Sequence, residues 1–367
     1  MCGIWTYLLK DNEDNVIDEN ELYKKFMTIT DRGPDNYSFK YKSKLFYTGF
    51  HRLAIMDISD KGNQPFNYHD YETNEDYICI CNGEIYNAKF IKEHVLTDYE
   101  FKSASDCEVL IPLYLKFGTE MHRYLDGVYS FVIIKVKANH YDVIACRDKI
   151  GVRPGFIGYN KKSGSIGICS EMKGLTGIFD HIEVFPPGCY LHFNNTNYES
   201  DYIIKPYYVY DYPIIMRDKS AELDKVRELF ESAVEKRLIS DKPVCALLSG
   251  GLDSSLVCSV ASRFLKKMGL KLHTFSIGME NGTDLYYANK VAEYIGSEHT
   301  VVSITKEQAL DAIRDVIWAT ETFDITTIRA STGQYLIGKY IGDNTDFKVV
   351  LSGDGSDEVA SGYLYNF

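Results

Sequence analysis

Two short stretches of this sequence set acids on glycine turns, and a third places a thiol one residue from the start of the chain. In residues 244–255 an apolar run of strand type empties into Ser249-Gly250-Gly251-Leu252-Asp253-Ser254-Ser255, and an amphipathic stretch with Leu256, Val260 and Phe264 on one face follows at once. A glycine turn opening a helix points backbone N–H groups outward at the positive end of the helix dipole, which makes a cradle for phosphate. The spacing and the lysine of a Walker loop are absent. Asp253 stands where a bare anion would be repelled, so the phosphate that fits is a pyrophosphate bridged by Mg²⁺. Val349-Val350-Leu351 runs likewise into Ser352-Gly353-Asp354-Gly355-Ser356-Asp357-Glu358, which pairs Asp357 with Asp253 for Mg²⁺ on a triphosphate. Against these readings stand a plain glycine turn for the first loop and a solvated acidic turn for the second.

Cys2 follows the initiator methionine. Loss of Met1, usual before a small residue, leaves a free α-amine whose ordinary pKa of about 7.7–8.0 suits a general base, so that nucleophile and base are one residue. Arg52, inside the strand-like run 50–57, needs an anionic partner if half-buried. Asn82-Gly83 offers a side-chain amide and a glycine N–H as paired oxyanion donors, and Asp106 offers an anion. Each has a plainer reading: a small buried cysteine, a hairpin turn at Asn-Gly, and an N-cap for the helix carrying Val109, Leu110, Leu113, Tyr114 and Phe117. Together they are the parts needed to hydrolyse an amino-acid side-chain amide, with Arg52 for an α-carboxylate and Asp106 for an α-ammonium. Glutamine fits that set.

The elements that must position these residues fall into two halves. Strands are expected at 77–81, 127–136, 141–148, 165–171 and 189–193, separated by turns with Asn, Gly and Pro, which predicts an antiparallel sandwich. After an aromatic stretch without periodicity, Ser220 is the expected N-cap of a helix carrying Leu223, Val226, Phe230 and Val234. Strands at 244–248, 272–277 and 348–351 then alternate with helices near 254–267, 285–295, 307–320 and 329–340. That alternation predicts a parallel, doubly wound sheet with its ligand site at the strand C-termini. Thr305 with Gln308 forms a capping box, and Asp284 reads as a further N-cap. The divisions are residues 1–205, a linker at 206–218, and 219–367.

Cys2-Gly3-Ile4, Arg32-Gly33-Pro34, Arg52-Leu53-Ala54-Ile55, Asn82-Gly83-Glu84-Ile85-Tyr86-Asn87 and Ser105-Asp106-Cys107-Glu108 together resemble the class II glutamine amidotransferase domain, an N-terminal-nucleophile hydrolase. The loop at Ser249 resembles the pyrophosphate loop of the N-type ATP pyrophosphatases. The combination in 321–331 resembles the glutamine-hydrolysing asparagine synthetases and not the β-lactam synthetases. The resemblance implies an α/β chain, with an N-terminal αββα sandwich followed by an incomplete, Rossmann-like ATP pyrophosphatase domain. It implies catalysis by Cys2, Asn82 and Gly83, and glutamine binding by Arg52, Ile55, Asn82, Gly83, Glu84 and Asp106. ATP falls to Leu247, Ser249, Gly250, Gly251, Asp253, Ser254, Ile277, Ser352 and Gly353, Mg²⁺ to Asp253 and Asp357, and the aspartate or adenylate to Arg329, Asp354 and Glu358. In the reaction so implied, Cys2 frees ammonia from glutamine, ATP adenylates the β-carboxylate of aspartate, and ammonia completes asparagine, leaving AMP, pyrophosphate and glutamate. Because free ammonia at neutral pH is mostly ammonium, the chemistry asks for a water-excluding passage between the two sites.

Arg147-Asp148, Gly151-Val152-Arg153-Pro154 and Ser170-Glu171 also look like family signatures, read here as structural charges at strand ends. Three departures stand out. His51 adjoins Arg52 where family members carry His-x-Arg-Leu, Asp354 replaces a glutamate one methylene longer, and the chain ends at Phe367 where relatives continue. Two rival readings follow: a shortened chain keeping only glutaminase and nucleotide binding, or a related amidotransferase that adenylates another carboxylate. With 367 residues, 45% apolar and 25% charged, the chain has material for two full cores. A net charge of −12 without a basic block argues against nucleic acid or an anionic membrane as partner. Nine scattered cysteines without a Cys-x-x-Cys pair, and no long apolar run, place the expected chain in the cytoplasm with reduced thiols. The resemblance adds a possible homodimer.

Overall fold

The computed structural model describes residues 1–10, 18–42, 45–196, 202–211, 219–280 and 282–363. The chain divides into two compact units, Met1–Pro213 and Ile214–Phe367. Residues 212–218 of the expected linker lie outside the described residues.

Two six-stranded antiparallel sheets build the first unit. One contains β1 (Gly3–Leu8), β2 (Asn36–Lys42), β3 (Phe46–Arg52), β8 (Phe156–Tyr159), β9 (Ile166–Cys169) and β10 (His181–Val184) in the order β10-β8-β9-β1-β3-β2. The other contains β4 (Phe66–Asp70), β5 (Glu75–Ile85), β6 (Gly127–Lys137), β7 (His140–Arg147), β11 (Cys189–Asn194) and β12 (Ile203–Pro206) in the order β12-β11-β7-β6-β5-β4. Ile4, Leu8 and Phe50 from the first meet Ile80, Val132, Val143 and Leu191 from the second in a buried layer between them. Helix α1 (Glu19–Met27) covers the outer face of the first sheet, setting Leu22 and Phe26 against Trp5, Tyr47 and Cys169. Helices α2 (Ala88–Phe90) and α3 (Leu110–Phe117) cover the second, where Ala88, Leu110 and Leu113 pack on Cys79 and Phe131. This is the expected αββα sandwich, and it explains why Ser-Phe-Val-Ile-Ile in β6 is apolar without alternation: both of its faces are buried.

Asn82-Gly83 is not a hairpin turn. Both residues lie inside β5, paired with Ser130 and Tyr129 of β6. Glycine is required by close approach, since a Cβ on residue 83 would meet Tyr129 Cβ and Val128 O at 2.7 Å. Tyr207 beyond β12 still belongs to this unit, its hydroxyl donating to Arg147 O at 2.8 Å.

The second unit is a four-stranded parallel sheet ordered β15-β14-β13-β16, made of β13 (Val244–Leu247), β14 (His273–Gly278), β15 (Glu298–Ser303) and β16 (Val349–Leu351). On one face α4 (Lys219–Lys236), α5 (Leu252–Lys267) and α6 (Thr283–Ile295) bury Val234, Val257, Ala261, Ala288 and Ala292. On the other, α9 (Ile325–Asn344) buries Ile337 and Ile341 against Cys245, Phe275 and Val302. Helices on both faces make the sheet doubly wound, as expected.

Several local expectations change. Strand β15 carries no strand signal in Glu-His-Thr-Val-Val-Ser, because an edge strand with only Val302 buried has little apolar alternation to display. The helix expected at 307–320 is two, α7 (Lys306–Asp311) and α8 (Ile313–Thr320), although the Thr305–Gln308 capping box is present. Helix α9 begins four residues early because Asp324 caps it, accepting from Thr327 N at 2.8 Å. Ser220 lies within α4 and Asp284 within the first turn of α6, whose N-cap is Gly282, so neither is a cap. Only the C-terminal half of the α4 stripe is covered: Val234 is 5% exposed, whereas Leu223 and Val226 are 58% and 61% exposed.

Candidate active sites

Cys2 sits immediately before β1, with Leu53 N donating to its Sγ at 3.4 Å and the thiol reaching Leu53 O at 3.6 Å. A cavity of about 30 Å³ brings it together with Arg52, Ile55, Gly83, Glu84 and Asp106. Burial pushes the Cys2 thiol up, so it needs a base to become a nucleophile. The chain's α-amine beside it is pulled down to about 5, chiefly by burial and further by the Arg32 and Arg153 charges, so it is free to accept a proton at neutral pH. That amine is carried here by Met1; removal of Met1 transfers the role to Cys2 itself.

Asn82, the cross-strand partner of Ser130, is 1% exposed, and its Nδ2 is a buried donor with no hydrogen-bond partner. A buried donor left unpaired costs stability; Asn82 does not itself line the cavity, which its neighbour Gly83 does. Arg52 is also buried. It donates to Ser59 O at 2.8 Å, to Asn63 Oδ1 at 2.6 Å and to Asp57 O, so its guanidinium braces the 57–63 segment. Among the described residues no carboxylate lies within ion-pair distance of it, which leaves its charge for an anion from outside. Asp106 stands at the N-cap position of the turn Cys107–Val109, but its side chain makes no capping bond; Oδ2 instead accepts from Ile85 N at 2.6 Å, at the end of β5. Alternation along β3 turns His51 to the opposite side, where it stacks on Phe26 with ring centroids 4.0 Å apart and bonds Phe26 O at 3.1 Å. Its position beside Arg52 therefore leaves the cavity undisturbed.

The second site lies at the C-terminal ends of β13 and β16. The chain runs from β13 outward to β14 and β15, then returns to lay β16 on the other side of β13, so the strand order reverses between β13 and β16. That is the switch point at which open α/β sheets bind ligands. A cavity of about 600 Å³ opens there, a size suited to a nucleotide. Leu247, Ser249, Asp253, Ser254, Ile277, Ser352, Gly353, Asp354, Asp357 and Glu358 line it. Gly250 and Gly251 shape the loop behind that lining: Gly250 has φ +85°, the left-handed region, and a Cβ there would meet Ala288 N at 2.6 Å. The loop is tied to its helix by Ser249 Oγ and Ser254 Oγ 2.9 Å apart, and the second loop presses on it, since a Cβ at Gly353 would meet Ser254 N at 2.7 Å. Five carboxylates and no cationic side chain line the cavity among the described residues. No cluster of three or more His, Cys, Asp or Glu side chains placed to hold a metal occurs among them either. Arg329 is exposed on α9 and does not line the cavity, although the next residue, Ala330, does.

The sequence profile of the glutamine amidotransferase domain matches residues 1–180, and that of asparagine synthase matches residues 225–367. Glutamine-hydrolysing asparagine synthetase of Gallus gallus is 39% identical over 393 aligned positions, which take in all of this chain and 67% of the relative. The chain belongs to the glutamine-hydrolysing asparagine synthetase family. The corresponding Arabidopsis thaliana protein is 38% identical, with 61% of its length covered, so the chain spans about two thirds of the length of these relatives. Among solved structures, a glutamine aminotransferase class-II domain protein from Silicibacter pomeroyi has a TM-score of 0.32 at 12% identity, covering 57% of this chain and 99% of its own.

Within the asparagine synthetase framework, several residues that sequence reasoning left out stand at the two sites. Arg32 Nε donates to Cys2 O at 2.9 Å while its Nη1 pairs with Glu171 at 3.1 Å and its Nη2 stays unpaired. Arg153 carries an unpaired buried Nε, and Ser130 an unpaired Oγ. The signature residues around Arg153 prove to be its support: Asp148 accepts N–H bonds from Gly151, Val152 and Arg153 at 2.7–3.0 Å, and Arg147 donates to Arg153 O at 2.7 Å. In the cavity of the second unit Gln334 Nε2 holds both oxygens of Asp354, at 3.2 and 3.1 Å. Its spacing with Ala330, Gly333 and Ile337 is the helical stripe that could have revealed it.

Proposed function

We propose that this chain is an ATP-dependent, glutamine-hydrolysing ligase that frees ammonia at Cys2, activates the β-carboxylate of aspartate as an adenylate in the β13–β16 cavity, and forms asparagine. The observation that carries the reading is the Cys2 site: one cavity joins the thiol to Arg52, Gly83, Glu84 and Asp106, a depressed α-amine lies beside the thiol, and Asn82, next to Gly83 in β5, holds a buried amide donor with no partner. The amine takes the thiol proton, Cys2 Sγ attacks the δ-carbonyl of glutamine, and Asn82 Nδ2 with Gly83 N–H receives the oxyanion. The protonated amine then returns its proton to the departing nitrogen, and water releases glutamate from the thioester. Arg52 takes the α-carboxylate, Ile55 borders it, and Glu84 with Asp106 takes the α-ammonium.

In the second unit, Leu247, Ile277 and the loops at 249–254 and 352–353 bind ATP, with the N–H groups of α5 turned to phosphate. Asp354 and Glu358 face the aspartate and its adenylate, and Arg329 joins them only if its side chain turns inward from the exposed flank of α9. A polyphosphate among five carboxylates needs a divalent cation, and two acids plus phosphate oxygens are the ligand set Mg²⁺ prefers. Asp253 and Asp357 would hold Mg²⁺, which would neutralise the pyrophosphate leaving group. Free thiols throughout suit a cytoplasmic protein, and a homodimer is the assembly the family resemblance implies. No helix among the described residues is long and apolar enough to cross a membrane. The test is incubation with glutamine labelled with ¹⁵N in the amide, aspartate and Mg-ATP, followed by ¹⁵N NMR. Label in the side-chain amide of asparagine, with equimolar AMP and pyrophosphate, is expected; AMP formation that does not depend on aspartate would refute the substrate assignment.

A further inference from the structure

Two carboxyl groups, those of Glu84 and Asp106, line the one small cavity at Cys2. Asp106 has a fixed partner on one side, Ile85 N at 2.6 Å, and lies near the thiol of Cys107 at 3.7 Å. Glu84 lines the same cavity, and among the described residues its carboxyl has neither a hydrogen bond nor an ion pair. Two acids that share a cavity of only about 30 Å³ do not readily both ionise without a cation between them.

The surrounding groups do not supply that cation. Arg153 and the chain's α-amine act on Glu84 only at a distance. Lys92 acts on Asp106 by charge alone, its Nζ donating to Ser105 O at 2.8 Å. Arg52 is engaged with the 57–63 segment, Arg32 pairs with Glu171, and Cys81 shares the wall as a thiol. Cys2 and Cys107 keep their protons, both thiols being pushed up. Burial first, then the Asp106 charge, pushes Glu84 up to about 8, and burial also raises Asp106.

We propose that the empty amidase pocket stores one proton on the Glu84–Asp106 pair and that the α-ammonium of the incoming substrate displaces it, so that glutamine binding is coupled to proton release. The inference rests on the reading of the cavity as a glutamine site. A ligand ammonium replaces the shared proton as counter-charge, both carboxylates ionise, and the proton leaves to buffer. The pair thereby distinguishes a substrate with an α-ammonium from one without. Binding weakens toward acid pH, where the proton competes, and strengthens as the pH rises toward 8.

The experiment is isothermal titration of L-glutamine into the Cys2→Ala chain, which cannot turn over, in phosphate and in Tris at pH 6.5 and at pH 8.5. The difference in heat between buffers counts protons. Release of close to one proton at pH 6.5, falling below about half at pH 8.5, is expected. In the Glu84→Gln chain the release should vanish. Glutaramate, which lacks the α-amine, should bind the Cys2→Ala chain without release at either pH. Glutamine binding with equal heats in both buffers at pH 6.5 would overturn the coupling and leave the substrate reading standing. Failure of glutamine to bind at all, with the chain folded by circular dichroism, would overturn the substrate reading and the coupling with it.

Discussion

Replacing Gly353 by alanine isolates the claim that the two glycine loops of the second unit form one nucleotide cradle. The added Cβ would lie 2.7 Å from Ser254 N, 2.9 Å from Asp253 C and 3.1 Å from Asp253 Cβ, where ordinary contact begins at 3.4 Å. Two of these three neighbours are backbone atoms at the first turn of α5, so no side-chain rotation relieves the clash and the loops must part by about 0.7 Å. Overpacking of this kind costs roughly 1–3 kcal/mol. If the parting falls on the cradle rather than on the core, ATP affinity drops by about ten- to a hundredfold. Calorimetric titration of Mg-ATP into the Gly353→Ala chain measures it, with glutamate release from glutamine as a control on the first unit, which should be unchanged. Wild-type ATP affinity in a folded Gly353→Ala chain would refute the cradle.

Asn82→Ala should lower kcat for glutamine hydrolysis by roughly 10²–10³ with a smaller change in KM, as for the loss of one oxyanion donor; steady-state glutamate release reads both. Asp253→Asn should weaken Mg-ATP binding by at least about tenfold, with the loss largest at low Mg²⁺, and calorimetry at two Mg²⁺ concentrations checks it. Glu84 sits above its ordinary range when folded, so the native state binds the extra proton and the unit loses stability as the pH rises from about 4.5 through about 8. Glu84→Gln should therefore melt higher than the unmodified chain at pH 8.5 and at the same temperature at pH 4, followed by differential scanning fluorimetry.

Both layered folds were legible because their cues are periodic. Apolar runs broken by glycine and asparagine turns marked the sandwich, and the alternation after residue 219 marked the parallel sheet. What escaped was local. Asn82-Gly83 carries the composition of a turn, yet it continues β5 because Tyr129 and Val128 leave room only for a glycine. Asp106 and Asp284 carry the composition of caps, and tertiary contacts redirected the first to Ile85 N and the second to the cavity wall. Arg153 and Ser130 were invisible as site residues because what they face comes from neighbours distant in sequence, whereas Gln334 was marked only by its helical stripe. No window around Ser130 announces that an unpaired amide faces it across the ladder. The sequence marks Arg52 as a clamp for a carboxylate, and its bonds to Ser59 and Asn63 make it a brace as well.

The central claim is that a free N-terminal cysteine is both nucleophile and base. Glutamate release should be measured on the chain with Met1 removed, on the chain that retains Met1, on an N-acetylated chain and on Cys2→Ala, each confirmed by intact mass. The account predicts full turnover in the first, a lower rate in the chain that retains Met1, whose amine lies one residue away from the nucleophile, and none in the acetylated chain, which lacks a free amine, or in Cys2→Ala, which lacks the thiol. Turnover at an undiminished rate in the acetylated or Cys2→Ala chain would contradict it.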